Sequence, residues 1–107
     1  MPNTIEKKDY YNFLYTYYQN LFTTKQKEVF ESYYFEDYSL SEISESLGVS
    51  RNAIWDVLKK VEHNLDEYES KLGLYQKNKV LETYLNELMS YTTEEGKAII
   101  HQIKEME

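Results

Sequence analysis

Between Leu47 and Arg51 the chain has only Gly48-Val49-Ser50 in which to stop one amphipathic helix and start another. Glycine accepts the positive φ that closes a helix, and serine caps the next one by accepting from an orphan backbone N–H. So short a connection makes the two helices meet at a corner, which needs apolar residues on both sides. They are present: Ile43 and Leu47 precede the turn, Val49 lies in it, and Ile54 and Leu58 follow at helical spacing. Ser44 is small enough for a crossing helix to approach closely. Residues 40–54 therefore read as a helix-turn-helix corner.

The flanking sequence is helical as well. Ile5 to Asn20 carries two apolar stripes at 3.6-residue spacing, Tyr10-Leu14-Tyr17-Tyr18-Leu21 and Tyr11-Tyr15-Tyr18-Phe22. Two stripes on one helix mean that it is central or that one face meets a partner. Thr23 with Gln26, and Ser39 with Glu42, are capping boxes that open two further helices. The first of these buries Val29, Phe30, Tyr33 and Tyr34, and Glu36-Asp37-Tyr38 interrupts it. The helix after Ser50 is long, with Ile54, Val57, Leu58, Val61, Leu65, Tyr68 and Leu72 on one face, and Gly73 stops it. Two more helices follow. Leu81, Tyr84, Leu85 and Leu88 form the stripe of one; Thr92 with Glu95 opens the other, which carries Ile99, Ile100, Ile103 and Met106. Three glycines and one proline leave little for the tight turns of a β-sandwich. The prediction is an all-α protein: residues 1–73 a helix-turn-helix domain with a Tyr-rich N-terminal helix, residues 74–107 a helical C-terminal extension.

Composition bounds the function. Apolar residues make up 41% of the chain and aromatic residues 16%, too many for a disordered segment. There is no cysteine, so disulfides and thiolate metal sites are excluded and the cytoplasm is the expected compartment. No stretch has the apolar length of a membrane span, and Met1–Ile5 lacks signal-peptide character. The formal net charge is −7, divided as −5 over residues 1–73 and −2 over residues 74–107. Duplex binders are usually basic, because neutralising phosphates releases counterions. Within Ser50–His63, however, Arg51, Lys59 and Lys60 outnumber Asp56 and Glu62. This is the least acidic surface, and it predicts weak, salt-sensitive nucleic-acid binding by the isolated chain.

At about 100° per residue, Ile54, Val57, Leu58 and Val61 define the inward direction of the long helix. Asn52, Asp56, Lys59 and His63 then point outward, and Arg51, Trp55 and Lys60 flank them. Arg, Asn and Lys are residues that read base edges or hold phosphates, and Asp56 is suited only to a cytosine amine. A plain solvated face fits the same residues. Trp55, the one tryptophan, lies off the core stripe: either it contacts a base, sugar or partner protein, or other helices cover it. The pairs His63/Glu67 and His101/Glu105 are spaced to begin a metal site but lack further ligands, and read as surface hydrogen bonding. The many carboxylates read as solvated helix exteriors. There is no Gly-rich phosphate loop and no nucleophile with a base and an orienter, so neither catalytic residues, cofactor nor metal is expected.

The segment Thr23 to Lys60 resembles region 4 of bacterial sigma factors, through Thr24-Lys25-Gln26-Lys27, Ser39-Leu40-Ser41-Glu42-Ile43 and Gly48-Val49-Ser50-Arg51. Over roughly residues 5–90 the chain is similar to the YlxM family of Gram-positive bacteria and mollicutes. The Tyr-rich Phe13-Leu14-Tyr15-Thr16-Tyr17-Tyr18, Tyr33-Tyr34, Asp37-Tyr38, Ser50-Arg51-Asn52-Ala53-Ile54-Trp55-Asp56 and Leu72-Gly73-Leu74 carry that likeness. The resemblance implies a sigma-region-4-like helix-turn-helix whose recognition positions are Ser50, Arg51, Asn52, Trp55, Asp56 and Lys59, with Lys60 beside them. It also implies a regulatory role in the signal recognition particle pathway, inferred in that family from gene neighbourhood. Ser44 stands where sigma-type corners commonly have Ala, and the acidic balance departs from that of a strong DNA binder.

The expected function is a non-enzymatic DNA-binding regulator, with DNA ahead of RNA as ligand. The alternative is a protein- or RNA-interaction module of the signal recognition particle system without sequence-specific DNA binding. Signal recognition particle protein or RNA, and a second copy of the chain, are the other partners considered. The stripes of the C-terminal helices either fold back on the domain or pair in such a homodimer, which would present two reading helices.

Overall fold

The Tyr-rich first helix is held in place by its rings. The computed structural model describes residues 4–106; of Met1–Ile5, residues 1–3 lie outside the described residues. The elements are α1 (Thr4–Tyr18), a 3-10 turn (Gln19–Leu21), α2 (Thr24–Tyr34), α3 (Leu40–Leu47), α4 (Arg51–Leu72), α5 (Leu74–Leu88) and α6 (Glu94–Glu105). The all-α expectation is met. The chain divides into two compact units, Met1–Leu72 and Gly73–Glu107.

In the first unit α4 packs against α1, α2 and α3. Of the two stripes on α1, the one through Tyr15, Tyr18 and Phe22 is buried together with Leu14, whereas Tyr10 and Leu21 stay exposed. The helix tightens at Gln19, where the Phe22 N–H closes on the Gln19 carbonyl at 3.2 Å. That earlier end releases Phe22 into an extended conformation, from which its ring reaches the core. Tyr15, Phe30 and Tyr34 stack, with centroids 4.3 and 4.2 Å apart. Offset ring stacks of this kind add to the burial of aromatic surface.

The ring hydroxyls then find acceptors. Tyr15 donates to Glu31 at 2.7 Å, Tyr18 to Glu69 at 2.7 Å, Tyr11 to Asp66 at 2.9 Å, and Tyr34 to Glu62. Four carboxylates expected to be plain solvated groups therefore join α1 and α2 to one another and to α4. Buried phenols need such partners, since an unpaired hydroxyl in the core is costly. Burial and the carboxylate bond raise the ionisation points of Tyr11, Tyr15 and Tyr34 above the ordinary tyrosine value.

Helix ends follow the local chemistry. Thr23/Gln26 and Ser39/Glu42 both form complete capping boxes. The backbone bond from Ser39, followed by its hydroxyl bond, holds the Glu42 carboxyl below its ordinary value. In the second unit the cap of α6 is Thr93, accepting from the Gly96 N–H at 3.2 Å, not the predicted Thr92. Gly96 explains the shift: a Cβ there would lie 1.8 Å from Thr92 Oγ1, so the missing side chain makes room for Thr92 beside the first turn. Lys104 at the end of α6 reaches Asn86 on α5. Leu85 and Ile100 are buried, while Leu81, Tyr84, Leu88, Ile99 and Met106 of the predicted stripes are exposed.

Candidate nucleic-acid interface

Gly48 ends α3 in the left-handed region, at φ 69°. The Val49 N–H bonds the Ser44 carbonyl at 3.1 Å, completing a Schellman-type close. Ser44 is buried, and its hydroxyl is turned back onto the Ser41 carbonyl at 2.9 Å, so α3 presents no unpaired hydroxyl there. Ser50 Oγ then accepts from the Ala53 N–H at 3.0 Å and opens α4. Ile54, Leu58, Val61 and Leu65 are all buried and hold the back of α4 against the core.

The front of α4 is open. Ser50, Arg51, Asn52, Trp55, Asp56 and Lys60 are exposed, and so is His63. Trp55 is 48% exposed, so the side chain is neither covered by other helices nor fully free. Together with Leu40, the residues Arg51, Asn52 and Trp55 line a shallow hollow of about 250 Å3 at the junction of α3 and α4.

Lys59 does not join the outward set. It is half-buried on the flank that carries Trp55, with Nζ 4.3 Å from the Trp55 ring centre and 3.2 Å from Glu62 Oε1. Partial desolvation pulls its ammonium down, the hydrogen bond and charge of the Glu62 carboxylate push it up, and the balance lies above the ordinary lysine value. Glu62 is the residue sequence reasoning missed. It is 7% exposed, accepts from the Tyr34 hydroxyl, and takes both Lys59 and Lys7 (3.5 Å) on one oxygen. Its position one residue after Val61 and four after Leu58 was the available signal. Lys8 of α1 lies 4.6 Å from the Tyr33 ring centre and 3.2 Å from Asp37 Oδ1. Among the described residues no three His, Cys, Asp or Glu side chains cluster to hold a metal ion, and no helix is long and apolar enough to cross a membrane.

A short helix, a left-handed glycine turn and a second helix with a buried apolar back and an open polar front define a helix-turn-helix protein. Comparison with known proteins gives the same class. Residues 5–106 match the model of the family described as "Putative helix-turn-helix protein, YlxM / p13 like". A UPF0122 protein of Geobacillus sp. (strain WCH70) is 42% identical over 106 residues, covering 96% of each chain. A UPF0122 protein of Listeria innocua is 40% identical over 108 residues, covering 95% of this chain and 98% of the relative. One of Bacillus velezensis is 40% identical over 109 residues, covering 97% and 99%. The chain belongs to this UPF0122 family of YlxM/p13-like proteins.

Proposed function

We propose that this protein is a non-enzymatic regulator that binds nucleic acid through the outward face of α4, in the manner of sigma region 4, with DNA as its ligand ahead of RNA. The observation that carries the reading is the exposed set Ser50, Arg51, Asn52, Trp55, Asp56 and Lys60 on a helix whose back is locked into the core. The exposed start of such a helix fits a major groove, where Arg51 is suited to the acceptors of guanine and Asn52 to the edge of adenine. Lys60 suits a phosphate. The net charge of −7 opposes long-range attraction, so binding by one copy is weak and falls steeply with salt. Two copies presenting two reading helices would raise it. The test is selection from a random duplex pool with wild type and with Arg51→Ala/Asn52→Ala. The reading expects a recovered preference that the double variant loses while its helical circular dichroism is unchanged. Identical enrichment by both proteins would refute it.

A second reading is a protein- or RNA-interaction module of the signal recognition particle system, placed in the cytoplasm. The resemblance to YlxM proteins supports that setting. The exposed Leu81, Tyr84, Leu88, Ile99 and Met106 of the second unit favour a protein contact, including contact with a second copy. Sedimentation of the full chain at rising concentration decides on self-association: a constant monomer mass excludes the homodimer.

A further inference from the structure

Beside the front of α4 lies a cleft of about 210 Å3 that the helix-turn-helix does not account for. Its walls come from three helices: Lys7 and Lys8 of α1, Tyr33 of α2, and Trp55, Lys59 and Glu62 of α4. This is smaller than the ~300–1,000 Å3 of ordinary small-molecule pockets, and suits a single phosphate group. In a chain of net charge −7, three ammonium groups converge here. Glu62 Oε1 is shared by Lys7 at 3.5 Å and Lys59 at 3.2 Å, so one carboxylate answers two cations. Asp37, which meets Lys8 at 3.2 Å, is 85% exposed and offsets it weakly. The ammonium groups of Lys59 and Lys8 rest near the rings of Trp55 and Tyr33, an arrangement that keeps them partly desolvated and leaves N–H donors for an anion.

Trp55 is the shared wall. It lines this cleft and also the hollow formed with Arg51 and Asn52. A strand whose bases meet Arg51 and Asn52 would therefore pass its backbone around Trp55 into the lysines. We propose that this cleft seats a backbone phosphate of the bound nucleic acid, which makes Lys7 and Lys8 of α1 part of the interface together with Lys59. The inference rests on the function proposed above and adds residues outside the helix-turn-helix.

The lone tryptophan reports on the site directly, so binding of a selected duplex is followed by Trp55 emission between low and physiological salt. Three double variants are compared with wild type: Lys7→Gln/Lys8→Gln, the charge-keeping Lys7→Arg/Lys8→Arg, and Lys25→Gln/Lys27→Gln at the opposite end of α2, which changes net charge equally. Loss of one phosphate contact lowers the slope of log affinity against log salt by about 1, with binding roughly five- to tenfold weaker near 0.1 M salt. That result is expected for Lys7→Gln/Lys8→Gln alone, with the base preference unchanged and the arginine pair near wild type. Equal loss in the Lys25→Gln/Lys27→Gln protein would mean a general field effect and would overturn the site. So would wild-type affinity and slope in Lys7→Gln/Lys8→Gln, although the Arg51/Asn52 reading would then stand. If inorganic phosphate alone saturates the Trp55 response at concentrations where the duplex does not, the cleft holds free phosphate and the proposal fails. If wild type binds no nucleic acid at any salt, the function proposed above fails and this inference with it.

Discussion

Glu62 offers the sharpest test of how the first unit is held together. The carboxylate is 7% exposed, and its two oxygens have different duties: one accepts from the buried Tyr34 hydroxyl, the other meets Lys59 and Lys7. The lysine side chains are 39% and 41% exposed, so solvent screens those pairs and they contribute at most about 1 kcal/mol together. The phenol bond is to a charged acceptor away from water, worth about 1.5–3 kcal/mol. Tyr34→Phe, which keeps the ring stacked on Phe30, therefore costs about 2 kcal/mol. Glu62→Gln keeps an acceptor for the phenol and costs about 1 kcal/mol by the same bookkeeping. Glu62→Ala leaves the phenol unpaired and both lysines unanswered, and costs about 3 kcal/mol or more. The double variant Tyr34→Phe/Glu62→Ala shows a coupling of about 1–2 kcal/mol, because each of the two changes removes the same shared bond. Urea unfolding of the full chain followed by Trp55 emission is the assay, since the single tryptophan lies in the first unit and reports on it alone. Stabilities for Tyr34→Phe within about 0.3 kcal/mol of wild type, with no coupling, would refute the reasoning, because additive sites are those that do not touch.

Alkaline pH weakens the same unit. Tyr11, Tyr15 and Tyr34 ionise above the ordinary value of 10.0 when folded, so the folded state holds protons that the unfolded state releases. Their contribution is complete below pH 10 and is lost as pH rises beyond it; a urea midpoint unchanged between about pH 9 and about pH 11.5 would contradict this. Gly48→Ala costs about 1–2 kcal/mol at φ 69°, although a Cβ there meets nothing within 4 Å, and Gly48→Asn costs less. Urea unfolding of both variants checks that order. Ser39→Ala opens the capping box of α3 and costs about 1 kcal/mol by the same assay.

The features legible from sequence are those whose cause is local. Ser39 and Glu42 are three residues apart, and Gly48 needs no partner to adopt its turn, so the corner and its caps follow from the residues themselves. The apolar back of α4 follows from spacing. The tyrosine–carboxylate bonds do not: Tyr18 and Glu69 are separated by 51 positions, and nothing in either neighbourhood marks them as a pair. The same limit misplaced Lys59. A helical wheel gives its angle on α4 but not the arrival of Lys7, Tyr33 and Tyr34 on that flank, which turns a surface lysine into the wall of a cleft. At α6, two adjacent threonines competed for the cap, and the side chain absent from Gly96 favoured Thr93, a packing effect that capping-box spacing does not contain.

The open ridge of α4 is the surface proposed to meet nucleic acid. Amide shift mapping of the full chain against a selected duplex at low salt addresses it residue by residue. The largest changes are expected over residues 50–60 and at the Trp55 indole N–H, fading as salt is raised. Changes confined to residues 74–106, or none at low salt, would contradict it.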